Sequence, residues 1–298
     1  MAQAREILKR IKSVESTKKI TRTMELVSTS KMKKAQDRVH ASRPYASKMR
    51  EILGTLSKAM RGGDIDHPLL RVPQSVRRVA AFVITSNRGL CGAYNSNVLR
   101  LALQFHRENT AAGREVAIYA CGKKAINYFK YRGIPVAKTM TEPAEHPVYA
   151  HAEQICADLI RDFGAPADEA IDGASLIYTR FVSAGRLAPT VEALLPVTAE
   201  ALAGEDEGND GPSDMMFEPD ASEIVSSLMP LMVKMRVFEV LLNAQASEHS
   251  ARMIAMKTAT DNADDLTKRL NRVYNRERQA QITQELAEIL GGVEALKG

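Results

Sequence analysis

Apolar residues at Ala4, Ile7, Ile11 and Val14 recur at alternating three- and four-residue steps, the spacing of a coiled-coil seam. The pattern predicts one long helix from Ala2 to about Met60. Continuing the count lands on Lys18, Thr21 and Glu25, so the seam turns polar, with Met24, Val27 and Met32 supplying apolar surface outside that register. Pro44 is expected to kink the helix or end its first section. Gly62-Gly63 closes the segment, and Pro68 and Pro73 mark a linker.

From residue 76 to 200 the period changes. Val79–Thr85 is a short β-branched apolar run, followed by a Gly-rich turn and an amphipathic stretch, Asn95–His106. Glu115–Ala120 reads as strand, Lys123–Tyr131 as helix, Ile134–Lys138 as strand, Val148–Phe163 as helix, and Ser175–Val182 and Thr190–Thr198 as strands. Strands alternating with helices imply a mainly parallel sheet with right-handed crossovers, a small Rossmann-like α/β domain.

Residues 204–214 form an acidic, Gly-rich stretch that reads as a solvated loop. Asp220-Ala-Ser-Glu223 is a capping box, and Ile224, Leu228, Leu231, Met235, Phe238 and Leu242 then keep three-four spacing. The count meets Gln245, His249 and Arg252, then recovers with Met256, Ala259, Ala263, Leu266, Leu270 and Val273; Pro230 is expected to kink the opening turns. No Gly or Pro interrupts Leu231 to Leu290, a helix of about 90 Å. A compact globule of this length is about 50 Å across, so the two terminal helices must project together as an antiparallel coiled coil. The expected fold class is α/β: a shaft with a Rossmann-like head. The expected division is 1–62 for the first shaft helix, 63–203 for the head, 204–219 for an acidic linker and 220–298 for the second shaft helix.

Composition narrows the partners. The 298 residues are 45% hydrophobic and 26% charged, which excludes wholesale disorder. Net charge is +5, and residues 1–62 hold 16 Lys/Arg against 5 Asp/Glu. Such a basic segment suits nucleic acid, an anionic membrane or an acidic protein. Aromatic stacking and nucleic-acid modules are missing, which favours the acidic protein. Three cysteines with no C-x-x-C pair read as small buried hydrophobes in a reducing compartment. No apolar run reaches the roughly 18 residues of a membrane span. The start of the chain has neither a signal core nor a transit-peptide pattern, so a soluble, cytoplasmic chain is expected.

Catalytic patterns are weak. Thr85–Asn95 follows a strand and opens a helix, where phosphates often bind, yet Gly89-Leu-Cys-Gly92 lacks the G-x-G-x-x-G spacing. Gly122-Lys123-Lys124 resembles a Walker A ending without its first Gly or its Ser/Thr. A tight strand-to-helix turn explains these glycines. The six His show no ligand spacing, and no nucleophile elbow occurs. Neither a cofactor nor a metal is expected. A degenerate dinucleotide-binding enzyme with an oligomerisation arm and a basic coiled-coil nucleic-acid-binding or scaffold protein remain as alternatives.

Several segments together resemble the gamma subunits of F-type ATP synthases. They are Ile20–Val27 with Ser30–Gln36 and Ser42–Tyr45, the turn Thr85–Asn95, then Glu248–Asn262 and Tyr274–Leu286, so the resemblance spans essentially the whole chain. Val293 departs from the usual Ala, and Ala93-Tyr94 stands where Gly-Leu is common. The dithiol insertion of chloroplast relatives is missing, and a bacterial chain is favoured. The resemblance implies a non-catalytic central rotor shaft with three alpha and three beta subunits around it and epsilon and the membrane c ring at its head. No nucleic acid and no small-molecule substrate are implied, and the location is the cytoplasmic face of the bacterial inner membrane. It also implies that Met24 lies near an acidic lever of beta, which suits Lys18, Lys19, Arg22 and Lys31. Arg278, Gln279 and Thr283 would contact a beta loop, and Phe217 and Glu218 would face the c ring.

The register of the helix pair follows from matching polar interruptions. Setting Thr21 opposite His249 exhausts the first helix near Leu270 to Val273. The overhang then carries Ile282, Leu286, Ile289, Leu290 and Val293, which are expected to ride in an apolar collar of a surrounding protein.

Overall fold

The computed structural model describes residues 2–59, 67–71, 73, 75–166, 169–198 and 221–295. Helix α1 runs Ala2–Ala59 and helix α6 runs Ala221–Ala295. Between them come β1 (Arg78–Ile84), α2 (Tyr94–Ala111), β2 (Glu115–Cys121), α3 (Lys123–Tyr131) and β3 (Val136–Met140). The one-turn α4 (Glu142–Glu145), α5 (Tyr149–Phe163), β4 (Gly173–Ser183) and β5 (Arg186–Leu195) follow. The chain divides into two compact units: Met1–Thr29 with Arg252–Gly298, and Ser30–Ala251.

The larger unit holds a five-stranded sheet in the order β3-β2-β1-β4-β5. The first four strands are parallel, and β5 returns antiparallel to β4. Side chains alternate across the pleat. Val79, Ala81, Val83, Ile118 and Ala120 pack with Val98 and Ala102 of α2 and Ala125 and Phe129 of α3. Phe82, Ile84, Tyr119, Leu176 and Tyr178 meet Ile155, Leu159 and Phe163 of α5 and Met229, Val233, Val237 and Leu241 of α6. A sheet covered on both faces explains why its strands read as continuous apolar runs.

Element boundaries differ from the sequence pattern where a terminator outweighs composition. The polar run Arg107–Thr110 remains helical, and α2 ends only before Gly113, whose φ of 76° favours glycine. The last strand occupies Arg186–Leu195 instead of Thr190–Thr198, because Pro196 has no N–H to continue the ladder. Pro44 does not end α1, and Pro230 lies inside α6. Asp220, the expected cap of α6, and the acidic stretch 204–214 lie outside the described residues, as do Gly62 and Gly63.

In α6 the fully buried stripe of the larger unit is Val225, Met229, Val233 and Val237. Ile224, Leu228, Leu231 and Phe238 lie beside it, half-buried. Met235 is also half-buried, whereas Leu242 is fully buried as expected, so the seam is displaced by about one position up to Phe238 and regained at Leu242, because the sheet takes a four-residue row.

The smaller unit pairs the start of α1 with the end of α6. On α1, Ala4 and Ile11 are buried and Ile7, Val14, Lys18, Thr21 and Glu25 half-buried, as the heptad count requires. The same count continues through buried Ser28 and, within the larger unit, meets buried Met32, which is thus in register and not outside it. On α6 the seam is Met256, Thr260, Ala263, Thr267, Leu270 and Tyr274, while Leu266 and Val273 are exposed. Threonine replaces the expected apolar residues because its hydroxyl can be satisfied inside the helix. Thr260 donates to the Met256 carbonyl at 2.8 Å and Thr267 to that of Ala263 at 2.9 Å.

Candidate functional site

The Gly-rich turn after β1 sits where open α/β sheets bind ligands, beside the switch from β2 on one side of β1 to β4 on the other. The N–H groups that open the neighbouring helix α3 are taken by the chain itself, mostly by groups of this turn. Ala125 N donates to Thr85 Oγ1 at 2.9 Å, Lys123 N to Asn87 Oδ1 at 3.0 Å and Lys124 N to the Ser86 carbonyl at 3.2 Å. Those are the N–H groups that a phosphate would need at the start of α3. Gly122 has φ of 94°, and a Cβ there would stand 2.2 Å from the Thr85 carbonyl oxygen. The glycine permits a close backbone approach, as the tight-turn reading expected.

Helix α6 covers the same strand ends. Tyr94 OH donates to the Ala244 carbonyl at 3.1 Å, and Ser247 Oγ donates to that of Thr179 on β4 at 2.9 Å. Among the described residues no group of His, Cys, Asp or Glu could hold a metal ion. Cys91, Cys121 and Cys156 are free and buried. Burial pushes the thiols of Cys121 and Cys156 up to about 12. These groups suit a packed core.

The helix pair presents the other candidate surface. Thr21 Oγ1 and Thr260 Oγ1 are 2.8 Å apart, and Lys18 forms an ion pair with Asp264. Asp264 also meets Lys268 at 2.7 Å, and hydrogen bonds from Lys18 and Lys268 hold its carboxyl down at about 2. Thr21 therefore meets Thr260, about three turns beyond His249, and the expected register is corrected by that amount. Matching any polar residue with any other was too coarse. The pair matches hydroxyl with hydroxyl and cation with anion.

With this register Ala4 stands level with Glu277, so α1 covers more of α6 than expected. Beyond that point the tip is open. Arg278, Gln279 and Thr283 are exposed, and Thr283 Oγ1 donates back to the Gln279 carbonyl at 3.0 Å. Ile282, Leu286, Ile289 and Leu290 are 47%, 55%, 62% and 67% exposed, far too much for core side chains. Met24 is half-buried on α1, between the exposed apolar residues Ile20 and Val27. It stands level with Lys257, so about 30 Å of helix separates it from Arg278. These residues form two stations and not one cluster. Phe217 and Glu218 lie outside the described residues, as does the side chain of Val293.

Sequence reasoning missed Arg236 and Glu192. The Arg236 Nε meets Glu192 Oε1 at 2.5 Å and its Nη1 meets Glu239 Oε2 at 2.6 Å, while Tyr178 OH donates to Glu192 Oε2 at 2.9 Å. Burial opposes the Glu192 charge, but the Arg236 hydrogen bond and charge outweigh it and lower its pKa. A half-buried Arg on an otherwise apolar helix row was the available signal.

The ATP synthase family matches residues 3–296. An ATP synthase gamma chain from Leptospira biflexa is 42% identical over 99% of this chain and 100% of its own length. The chain belongs to the ATP synthase gamma-chain family. The gamma chain of Saccharopolyspora erythraea is 41% identical over 99% of this chain and 98% of its own. Solved structures agree in fold. The match to the rotor of Euglena gracilis mitochondrial ATP synthase has a TM-score of 0.65 at 18% identity, covering 94% of this chain and 99% of that one. The match to the central stalk and c ring of Tetrahymena thermophila mitochondrial ATP synthase has a TM-score of 0.59 at 23% identity, covering 80% and 99%. This gamma-family chain thus joins an antiparallel helix pair to a mixed α/β sheet, and no helix among its described residues is long and apolar enough to cross a membrane.

Proposed function

We propose that this chain is the central rotor shaft of an F-type ATP synthase, coupling proton flow through a membrane c ring to sequential change at the catalytic sites of the beta subunits. The observation that carries the reading is membership of the gamma-chain family over the full length. Three alpha and three beta subunits surround the paired helices, with epsilon and the c ring at the α/β unit. One asymmetric shaft offers a different face to each beta subunit, and differential contact with distinct conformations is what couples rotation to affinity.

In this reading Met24 faces the acidic lever of beta, and Arg278, Gln279 and Thr283 touch beta near the tip. Ile282, Leu286, Ile289, Leu290 and Val293 ride in an apolar collar, and the exposure of the first four supports that role. Phe217 and Glu218 face the c ring. The functional division is 1–62, 63–203, 204–219 and 220–298. The complex lies on the cytoplasmic face of a bacterial inner membrane, and the chain is not itself catalytic: the occupied α3 N-terminus supports this.

Co-expression with alpha and beta subunits tests the proposal. The chain should co-elute with them in one complex whose ATP hydrolysis depends on it, and the chain alone should hydrolyse no ATP. Failure to co-elute would overturn the rotor reading, and turnover that tracks the pure chain through gel filtration would overturn the non-catalytic one.

A further inference from the structure

A rotor must pass torque from its α/β unit into the helix that contacts the catalytic subunits. A polypeptide connection alone cannot do so, because the single bonds of a backbone swivel. Non-covalent anchors have to stop the helix turning about its own axis. The larger unit contains such anchors, gathered on α6 between Arg236 and Ser250.

Each anchor reaches a different element. Ser247 Oγ donates to the Thr179 carbonyl of β4 at 2.9 Å, and Ser250 Oγ to the Ala184 carbonyl of the β4–β5 turn at 2.6 Å. Gln245 Nε2 donates to the Glu145 carbonyl at the end of α4 at 2.9 Å. Tyr94 OH, at the start of α2, donates to the Ala244 carbonyl at 3.1 Å. Arg236 ties the same helix to Glu192 of β5. Both serines are fully buried, and Tyr94 and Gln245 nearly so.

The directions matter more than the number. At about 100° per residue, Arg236, Ser247 and Ser250 point within about 60° of one another, Ala244 lies about a quarter-turn away, and Gln245 points to the opposite side. The helix is therefore held on three sides between Ala244 and Ser250, less than two turns, with Arg236 about two turns before them. Rotation about its axis would break the bonds on opposite faces together. The buried row Met229, Val233, Val237 and Leu241 resists the same rotation by packing, and the directional bonds add a lock at one angle.

We propose that Tyr94, Gln245, Ser247, Ser250 and Arg236 are the positioning residues of a clutch that locks α6 to the α/β unit and passes rotation between them. The proposal rests on the rotor reading above. None of these residues touches a catalytic subunit in that reading. They act through α6, which continues to Ala295.

The test compares coupling with turnover in assembled, membrane-bound ATP synthase. Three substitutions remove hydroxyls with little change of volume: Tyr94→Phe, Ser247→Ala and Ser250→Ala. With three of the anchors removed, α6 slips more readily under torque against the α/β unit, so hydrolysis persists while pumping falls. The triple variant should keep ATP hydrolysis near the unsubstituted level and lose ATP-driven proton pumping by about fivefold or more, the equilibrium weight of even one net hydrogen bond. A purely structural role would lower both activities together and leave their ratio unchanged, and that outcome overturns the clutch. Should the triple variant fail to assemble, Tyr94→Phe alone decides: an unchanged ratio overturns the proposal, and a lowered one supports it. Leu159→Ala, which weakens the α5 core but touches no anchor, should leave the ratio intact; a fall there as large as in the triple variant would also overturn it. Failure of the unsubstituted chain to assemble would refute the rotor reading, on which the clutch depends.

Discussion

Thr21 of α1 and Thr260 of α6 face each other across the helix pair with their hydroxyl oxygens 2.8 Å apart. Each hydroxyl also lies within reach of a carbonyl of its own helix, Lys18 for Thr21 at 3.0 Å and Met256 for Thr260 at 2.8 Å. Two protons thus serve three contacts, so the layer is polar, shared and specific to one register. Replacing either threonine by valine should destabilise the pair by about 1 kcal/mol, because the remaining hydroxyl loses its partner. The double valine variant should cost less than the sum, with an interaction energy of about 0.5–1 kcal/mol. A double-mutant cycle by chemical denaturation reads this directly, and strict additivity would contradict the pairing.

Asp264 adds a pH dependence. Hydrogen bonds from Lys18 and Lys268 lower its pKa from 3.8 to about 2. A carboxyl with a depressed pKa contributes stability that is present above its unfolded value and lost as pH falls through the folded one. The contribution of Asp264 should therefore be complete at pH 5 and fade between about pH 4 and 2. Asp264→Asn should be less stable than the native chain at pH 5, with the gap closing below pH 4. A gap that persists undiminished at pH 2 would show that the ion pair is not its source.

The ion network at Arg236 predicts an asymmetry. Arg236→Ala leaves the Glu192 carboxylate half-buried beside Glu239 with its strongest partner gone, and should cost about 2 kcal/mol, less than a fully buried pair because both side chains retain some solvent. Glu192→Gln keeps a hydrogen-bonding group for Tyr178 and Arg236 and should cost less. Thermal unfolding of the two variants measures the order, and equal losses would refute it.

The fold was legible where hydrophobic period and chain length acted together. The Ala4, Ile7, Ile11, Val14 seam and the strand Val79–Thr85 could each be read directly, and the length of α6 forced the helix pair. Register was not legible. Periodicity treats Ala259, Leu266 and Val273 as better seam residues than Thr260, Thr267 and Tyr274, whereas packing chose the latter set. Hydroxyls returned to the i−4 carbonyl hide their polarity, and a charge pair such as Lys18–Asp264 becomes visible only when both helices are placed. The anchors at Ser247 and Ser250 escaped for a related reason. Their acceptors are backbone carbonyls of β4 and the turn after it, which carry no side-chain signature.

Thiol chemistry should be silent. Cys121 and Cys156 are fully buried, and their raised pKa values leave almost no thiolate at pH 8. Iodoacetamide should label neither until the chain unfolds, and reductant should not alter the activity of the assembled complex. Prompt labelling of either residue in the native chain would contradict their packing.

The tip of α6 carries the sharpest test of the interaction surface. Ile282, Leu286, Ile289 and Leu290 keep about half to two-thirds of their surface in water, although α1 stands level with α6 only as far as Glu277 and its neighbours. Four large apolar side chains on one helix end, left exposed by the described residues, are a liability unless a partner encloses them. Transferring each from this exposure into an apolar collar would be worth about 1 kcal/mol. Leu286→Lys with Leu290→Lys should therefore weaken assembly with alpha and beta subunits by at least about tenfold. The Lys18–Asp264 and Thr21–Thr260 layer lies many turns away and should keep its stability. Truncation after Gln279 should act in the same direction and more strongly, while the Ser30–Ala251 unit stays folded. Titration of the purified complex with tip variants provides the measurement. Assembly at native affinity with two lysines in the tip would rule out an apolar collar.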